Sequence, residues 1–107
     1  MKKITLTCAH AIVKYLIAQK ILIDGKKEPL FPGVFGIFGH GNVACLGQAL
    51  EESQNELPTY RGHHEQNMAL TGIGYARGKR RQQIFVATSS VGPGATNMVT
   101  AAAVAMS

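Results

Sequence analysis

Long apolar runs are missing from this sequence. No stretch approaches the roughly 18 or more consecutive apolar residues of a membrane-spanning helix, so no membrane span is expected. The opening Met1-Lys2-Lys3-Ile4-Thr5-Leu6-Thr7-Cys8 carries no extended apolar segment, and Lys14 interrupts the next one, which argues against a secretory signal. Acidic residues are scarce: 6 Asp and Glu stand against 11 Lys and Arg, for a formal net charge of +5. Much of that excess sits in Lys26-Lys27 and Lys79-Arg80-Arg81. Both runs fall in expected turns with few aromatics nearby to stack on bases, so they read as solvated loops and not as a nucleic-acid surface. Only 2 cysteines occur, Cys8 and Cys45, far apart and without CxxC spacing. Each falls on an expected helix among apolar neighbours, which predicts buried free thiols in a reducing cytosol and no disulfide.

What is present is the make-up of one globular domain. The chain has 107 residues, of which 46% are hydrophobic and 16% charged, within the roughly 50–200 residues of a typical domain. Thr7 is placed to cap a helix whose apolar face is Ala9, Ile12, Val13 and Leu16, ending near Lys20. Ile21 to Pro32, with Asp24-Gly25-Lys26-Lys27 and its prolines, reads as a turn and surface loop. Three strand–loop–helix units follow. Val34 to Phe38 is a short apolar strand, then Gly39-His40-Gly41-Asn42 is a tight loop, and Val43 to Glu52 a helix with Val43, Leu46 and Leu50 inward. Leu57 to Tyr60 is a short strand, followed by a helix from Glu65 to Arg77. Ile84 to Thr88 is the third strand, with a small-residue helix from Ala95 to Ala105. This alternation predicts an α/β fold in which helices flank a parallel sheet. The loops around His40, Glu65 and Gly92 would then share the carboxyl edge of the sheet, where such folds bind ligands.

Each loop has an ordinary reading beside a chemical one. Gly39-His40-Gly41-Asn42 lacks the full GxGxxG fingerprint and a suitably placed acidic partner, which weakens a dinucleotide site. His63-His64-Glu65 is not HExxH and offers no complete metal-ligand set, so no metal is expected on this chain. A glutamate in the first turn of a helix commonly just complements the helix dipole. The loop Gly92-Pro93-Gly94-Ala95-Thr96-Asn97 is more specific. Its glycines allow unusual backbone angles or close ligand approach, and backbone N–H groups at the next helix could receive an anion or a polar ring edge.

Taken together, Arg61-Gly62-His63-His64-Glu65-Gln66, Gly74-Tyr75-Ala76-Arg77 and Thr88-Ser89-Ser90-Val91-Gly92-Pro93-Gly94-Ala95-Thr96-Asn97 resemble the N-terminal, pyrimidine-binding domain of the acetolactate synthase-like thiamine diphosphate enzymes. The resemblance runs along nearly the whole chain in order and spacing. Phe35 to Val43 and Leu46 to Glu52 look most like the hydrolytic branch that opens a cyclic diketone in inositol catabolism. The resemblance implies that Glu65 hydrogen-bonds the pyrimidine N1′ of thiamine diphosphate, and that Gly92, Pro93 and Gly94 are cofactor-loop residues. A desolvated site would help Glu65 share a proton near neutral pH. His40 is either a substrate-facing acid/base group or a residue that ties down its loop. The reaction implied is carbon–carbon cleavage of a cyclic diketone to a deoxy-glucuronic acid. An acetolactate synthase-like lyase or transferase, and a non-catalytic α/β binding module, remain as alternatives.

The resemblance also implies what these residues do not carry. In the family, the diphosphate and Mg²⁺ are held by a Gly-Asp-Gly…Asn motif in a C-terminal domain, and nothing here matches it. The family's site lies between subunits of a cytoplasmic homo-oligomer. Ala101 to Ser107 ends in mid-helix by pattern, without a Gly or Asn stop. The expectation is therefore an incomplete pyrimidine domain of about three βα units plus an N-terminal helix, at the front of a longer protein and inactive by itself.

Overall fold

The computed structural model describes residues 3–39 and 42–107. Thr7 opens helix α1 (Cys8–Ala18), its side-chain oxygen accepting from the His10 backbone N–H at 3.2 Å. This satisfies one of the donors a helix start leaves free. Ala9 and Val13, four residues apart, are the buried positions of α1. Cys8 and Cys45 are both free thiols, as expected, but both are exposed. A helix turns about 100° per residue, so Cys8 stands beside the Ala9–Val13 stripe and not under it.

Ile21 to Pro32 is more ordered than a surface loop. β1 (Lys20–Ile23) and β2 (Lys26–Pro29) form an antiparallel hairpin in which Ile23 faces Lys26 across Asp24-Gly25. Both turn residues have positive φ, 51° and 79°. That is the two-residue turn whose twist matches the flanking strands, and Asp-Gly is a favoured sequence for it. Lys26 and Lys27 therefore lie on a short exposed strand.

β3 (Val34–Gly36), β4 (Thr59–Arg61) and β5 (Val86–Thr88) make the expected parallel sheet, in the order β4-β3-β5. Val34 pairs with Thr59 on one side and with Val86 on the other. The chain runs from β3 outward to β4, then returns past β3 to β5. With right-handed crossovers, that reversal sends the connecting helices to opposite faces. Successive strand residues also point to opposite faces. Val34 joins Ala9, Val13, Ala49, Leu50 and Leu57 in one core. Its neighbour Phe35 stacks on Phe85 at 4.6 Å between centroids, and Tyr75 meets Phe85 edge-on at 4.7 Å.

The helix expected over Val43 to Glu52 begins as a π-helical turn (Val43–Gly47) and continues as α2 (Gln48–Glu52). Leu50 is buried and Leu46 packs against the core, but Val43 is 59% exposed. The wider i→i+5 turn breaks the 3.6-residue phase that would have brought Val43 inward. α3 (Glu65–Gly78) matches its expected span. The last expected helix is split into α4 (Pro93–Thr96) and α5 (Val99–Met106), and α5 packs against α3.

Candidate functional site

The carboxyl ends of β3, β4 and β5 lead into loops that close on one another. From the first loop, the Asn42 side-chain amide donates to the Ser89 carbonyl of the third at 2.8 Å. Gly39 lies so close to the third loop that a Cβ there would meet Ser90 Cβ at 2.5 Å. The β3–β5 junction is where the chain's direction across the sheet reverses, the usual crevice for ligands in open α/β sheets. His40 and Gly41 lie outside the described residues.

The second loop delivers Glu65. His64 is extended and caps α3, its Nδ1 facing the Asn67 N–H at 3.4 Å, so Glu65 falls in the first helical turn. Its half-buried carboxylate points toward the third loop. Asn97 Nδ2 donates to Glu65 Oε1 at 3.1 Å. Glu65 Oε2 lies 3.2 Å from the place a Cβ on Gly94 would occupy, and that same Cβ would collide with Ser90 Oγ. Gly94 is buried and is kept clear of side chain by close approach; Gly92 has φ +66° and ψ −118°, a conformation open to glycine alone. Pro93 begins α4 at a position where its missing N–H costs nothing. Thr96 N–H then closes the turn on the Gly92 carbonyl at 2.9 Å.

Glu65, Gly94 and their neighbours Gly92 and Pro93 are thus brought together from two loops separated in sequence. Asn97 belonged to the motif, but nothing in its residue type pointed to the Glu65 contact, which only the folded loops create. In the unliganded chain the balance runs toward the ionised form. Burial does push the Glu65 carboxyl up, but the hydrogen bond from Asn97, followed by one from Glu65's own backbone N–H, outweighs it and holds the carboxyl below its ordinary value. Without a ligand, Glu65 is an ionised acceptor at neutral pH.

Beyond His64, a hollow of about 260 Å³ is lined by Phe35, Arg61, His63, His64, Asn67 and Met68, among others. A larger groove of about 570 Å³ runs along β4 and α2 past Phe38, Leu50, Glu51, Thr59 and the same Arg61. Among the described residues, no group of three or more His, Cys, Asp or Glu side chains is arranged to hold a metal ion. No helix among them is long and apolar enough to cross a membrane.

The family described as "Thiamine pyrophosphate enzyme, N-terminal TPP binding domain" matches residues 7–107. The chain belongs to this thiamine pyrophosphate enzyme family. It is similar to 3D-(3,5/4)-trihydroxycyclohexane-1,2-dione hydrolase of Geobacillus thermodenitrificans (strain NG80-2), 56% identical over 105 residues, 98% of this chain and 16% of that protein. The proteins of the same name from Clostridium tetani (strain Massachusetts / E88) and Bacillus thuringiensis (strain Al Hakam) are 51% and 50% identical over the same shares of each chain. The chain thus spans 16% of the length of the curated relatives it matches. No solved structure gives a significant match.

The site fits one edge of the family's cofactor. A carboxylate can accept from a ring N–H, and the lack of a Cβ on Gly94 is what lets Ser90 and the Glu65 carboxylate close on this loop. The diphosphate end has no counterpart among the described residues.

Proposed function

We propose that this chain forms the pyrimidine-facing part of a thiamine diphosphate site in a hydrolase that opens trihydroxycyclohexane-1,2-dione by carbon–carbon cleavage. The observation that carries the reading is the convergence of Glu65 and Gly94, supported by 56% identity to a hydrolase of that substrate. When bound, thiamine diphosphate supplies a carbon nucleophile and an electron sink. The chain's own part is to bind and orient. Glu65 accepts a hydrogen bond from the pyrimidine ring nitrogen and holds the shared proton there. Gly92 and Gly94 let the backbone come close to the half-buried carboxylate. His40, in the loop after β3, is the proposed acid/base group facing the substrate.

The diphosphate and Mg²⁺ belong to a second domain, contributed by another copy of the protein in a cytoplasmic homo-oligomer. These 107 residues alone are then inactive. In a protein carrying these residues with the diphosphate-binding domain, Glu65→Gln should lower turnover of the cyclic dione by about 10²-fold or more, the scale of a general acid/base contribution. Turnover matching the unmodified protein would sink the assignment.

A further inference from the structure

Glu65 has two carboxylate oxygens in different surroundings. Oε1 receives the Asn97 amide at 3.1 Å, while Oε2 lies beside Gly94, 3.2 Å from where a Cβ would be. An ionised carboxylate only accepts hydrogen bonds, so the Asn97 side chain must present its nitrogen and not its oxygen to Glu65. An N–H directed at Oε1 takes up one of that oxygen's two lone pairs and lowers its basicity. A proton shared with a ligand is therefore favoured at Oε2.

We infer that Asn97 is a positioning residue for Glu65: its amide occupies Oε1 and leaves Oε2, beside Gly94, as the oxygen that meets the cofactor's ring nitrogen. The inference rests on the reading of Glu65 as the cofactor-facing acid, and goes beyond it by naming what sets the carboxylate's orientation and basicity. Asn97 is held for this task from both ends. Its backbone N–H donates to the Pro93 carbonyl at 3.0 Å, which fixes it to the glycine loop. Its amide nitrogen also lies 3.4 Å from His64 Nε2. A neutral imidazole has one acceptor nitrogen, and His64 Nδ1 already faces the Asn67 N–H at 3.4 Å. Only one of those two long contacts is a hydrogen bond in a given tautomer, so the Asn97–Glu65 bond is the shorter and more dependable tie. By lowering the proton affinity of Glu65, Asn97 leaves the shared proton on the ring-nitrogen side of the pair.

The test uses the protein in its native length. With ¹³C-labelled glutamate and no cofactor, the Glu65 carboxyl is titrated by NMR while the Asn97 side-chain amide signals are followed. The amide signals should move with the Glu65 titration in the unmodified protein, a readout that needs no variant to fold. Asn97→Ala should raise the Glu65 titration. Asn97→Asp, which puts a second carboxylate beside the first, should raise it further. With thiamine diphosphate added, Asn97→Ala should cut kcat roughly 10-fold or more, the scale of a lost hydrogen bond to a charged group, and move the acid limb of the pH profile upward. Cofactor Kd should change far less. Asn97 amide signals indifferent to the Glu65 titration would overturn the inference. So would an acid limb left in place by Asn97→Ala when Glu65→Gln abolishes turnover. If Glu65→Gln itself turns over normally, the cofactor-facing role of Glu65 falls, and the positioning role falls with it.

Discussion

At the scale of single residues, charge and backbone angle decide the behaviour of this chain. Glu65 and Glu52 are both held below the ordinary carboxylate range, Glu65 first by Asn97 and Glu52 first by His10, whose Nε2 lies 2.5 Å from Glu52 Oε2. A depressed folded value means the folded state favours the ionised form. Each carboxylate therefore contributes its full stability above the unfolded glutamate value of about 4.3, and loses it as the pH falls through the lower folded value. Acid titration followed by circular dichroism should show Asn97→Ala and Glu52→Gln less sensitive to pH in that window than the unmodified chain. Identical acid curves would show that neither contact operates in solution. Backbone strain is concentrated after α3. Arg81 N–H bonds the Ala76 carbonyl at 2.7 Å, Arg80 N–H bonds that of Arg77 at 3.0 Å, and Arg80 has φ +53°. This is the helix-ending geometry that favours glycine at the left-handed position. Arg80→Gly should raise stability by up to about 1 kcal/mol in urea unfolding. A loss of stability would show that the arginine side chain makes up for its strain.

At the scale of elements, the sequence was legible wherever one element could be recognised from its own residues. Thr7 capping α1, the start of α3 at Glu65 and the strand–helix alternation all follow from local chemistry, and all are present. The hairpin was equally legible. Asp24-Gly25 between Ile21-Leu22-Ile23 and Lys26-Lys27 is a strong short-range hairpin signal, but the prolines that follow made the segment look like a loop. Because Gly25 has φ +79°, Gly25→Ala should cost about 1–2 kcal/mol of hairpin stability. Hydrogen exchange should quicken in β1 and β2 while the parallel sheet, a separate set of strands, keeps its protection. Equal acceleration in both would mean that they open as one unit. The exposed edge of β4 has a local guard that pattern does not reveal. The Gln54 side-chain amide accepts from Thr59 N–H at 3.1 Å and donates to its carbonyl at 3.3 Å, standing in for a neighbouring strand.

At the scale of the whole molecule, the sheet's job is to bring distant loops to one edge. The helix phase of Val43–Gly47, the exposure of Cys8 and Cys45, and the split between α4 and α5 escaped the sequence because each depends on what the element packs against. The aromatic set of Phe35, Phe85, Tyr60 and Tyr75 belongs here too, since its members come from separate segments and meet only across one face of the sheet. The same holds for the site. Glu65 and the Gly92-Pro93-Gly94 loop were recognisable as motifs, each tied to a helix start or a turn that its own residues dictate. Their juxtaposition was not, and neither was the role of Asn97.

The amino-acid order by itself determined the α/β alternation, the parallel sheet, the helix start that presents Glu65 and the glycines of the third loop. These follow from capping, periodicity and backbone freedom, which act over a few neighbouring residues. The tertiary structure alone decided which Glu65 oxygen is engaged, that its carboxyl is held low and not raised, and that Asn97 stands between Glu65 and the glycine loop. Those depend on distances between residues 32 positions apart. Hydrogen bonding and electrostatics respond to proximity in space, and that proximity exists only once β4 and β5 have paired with β3.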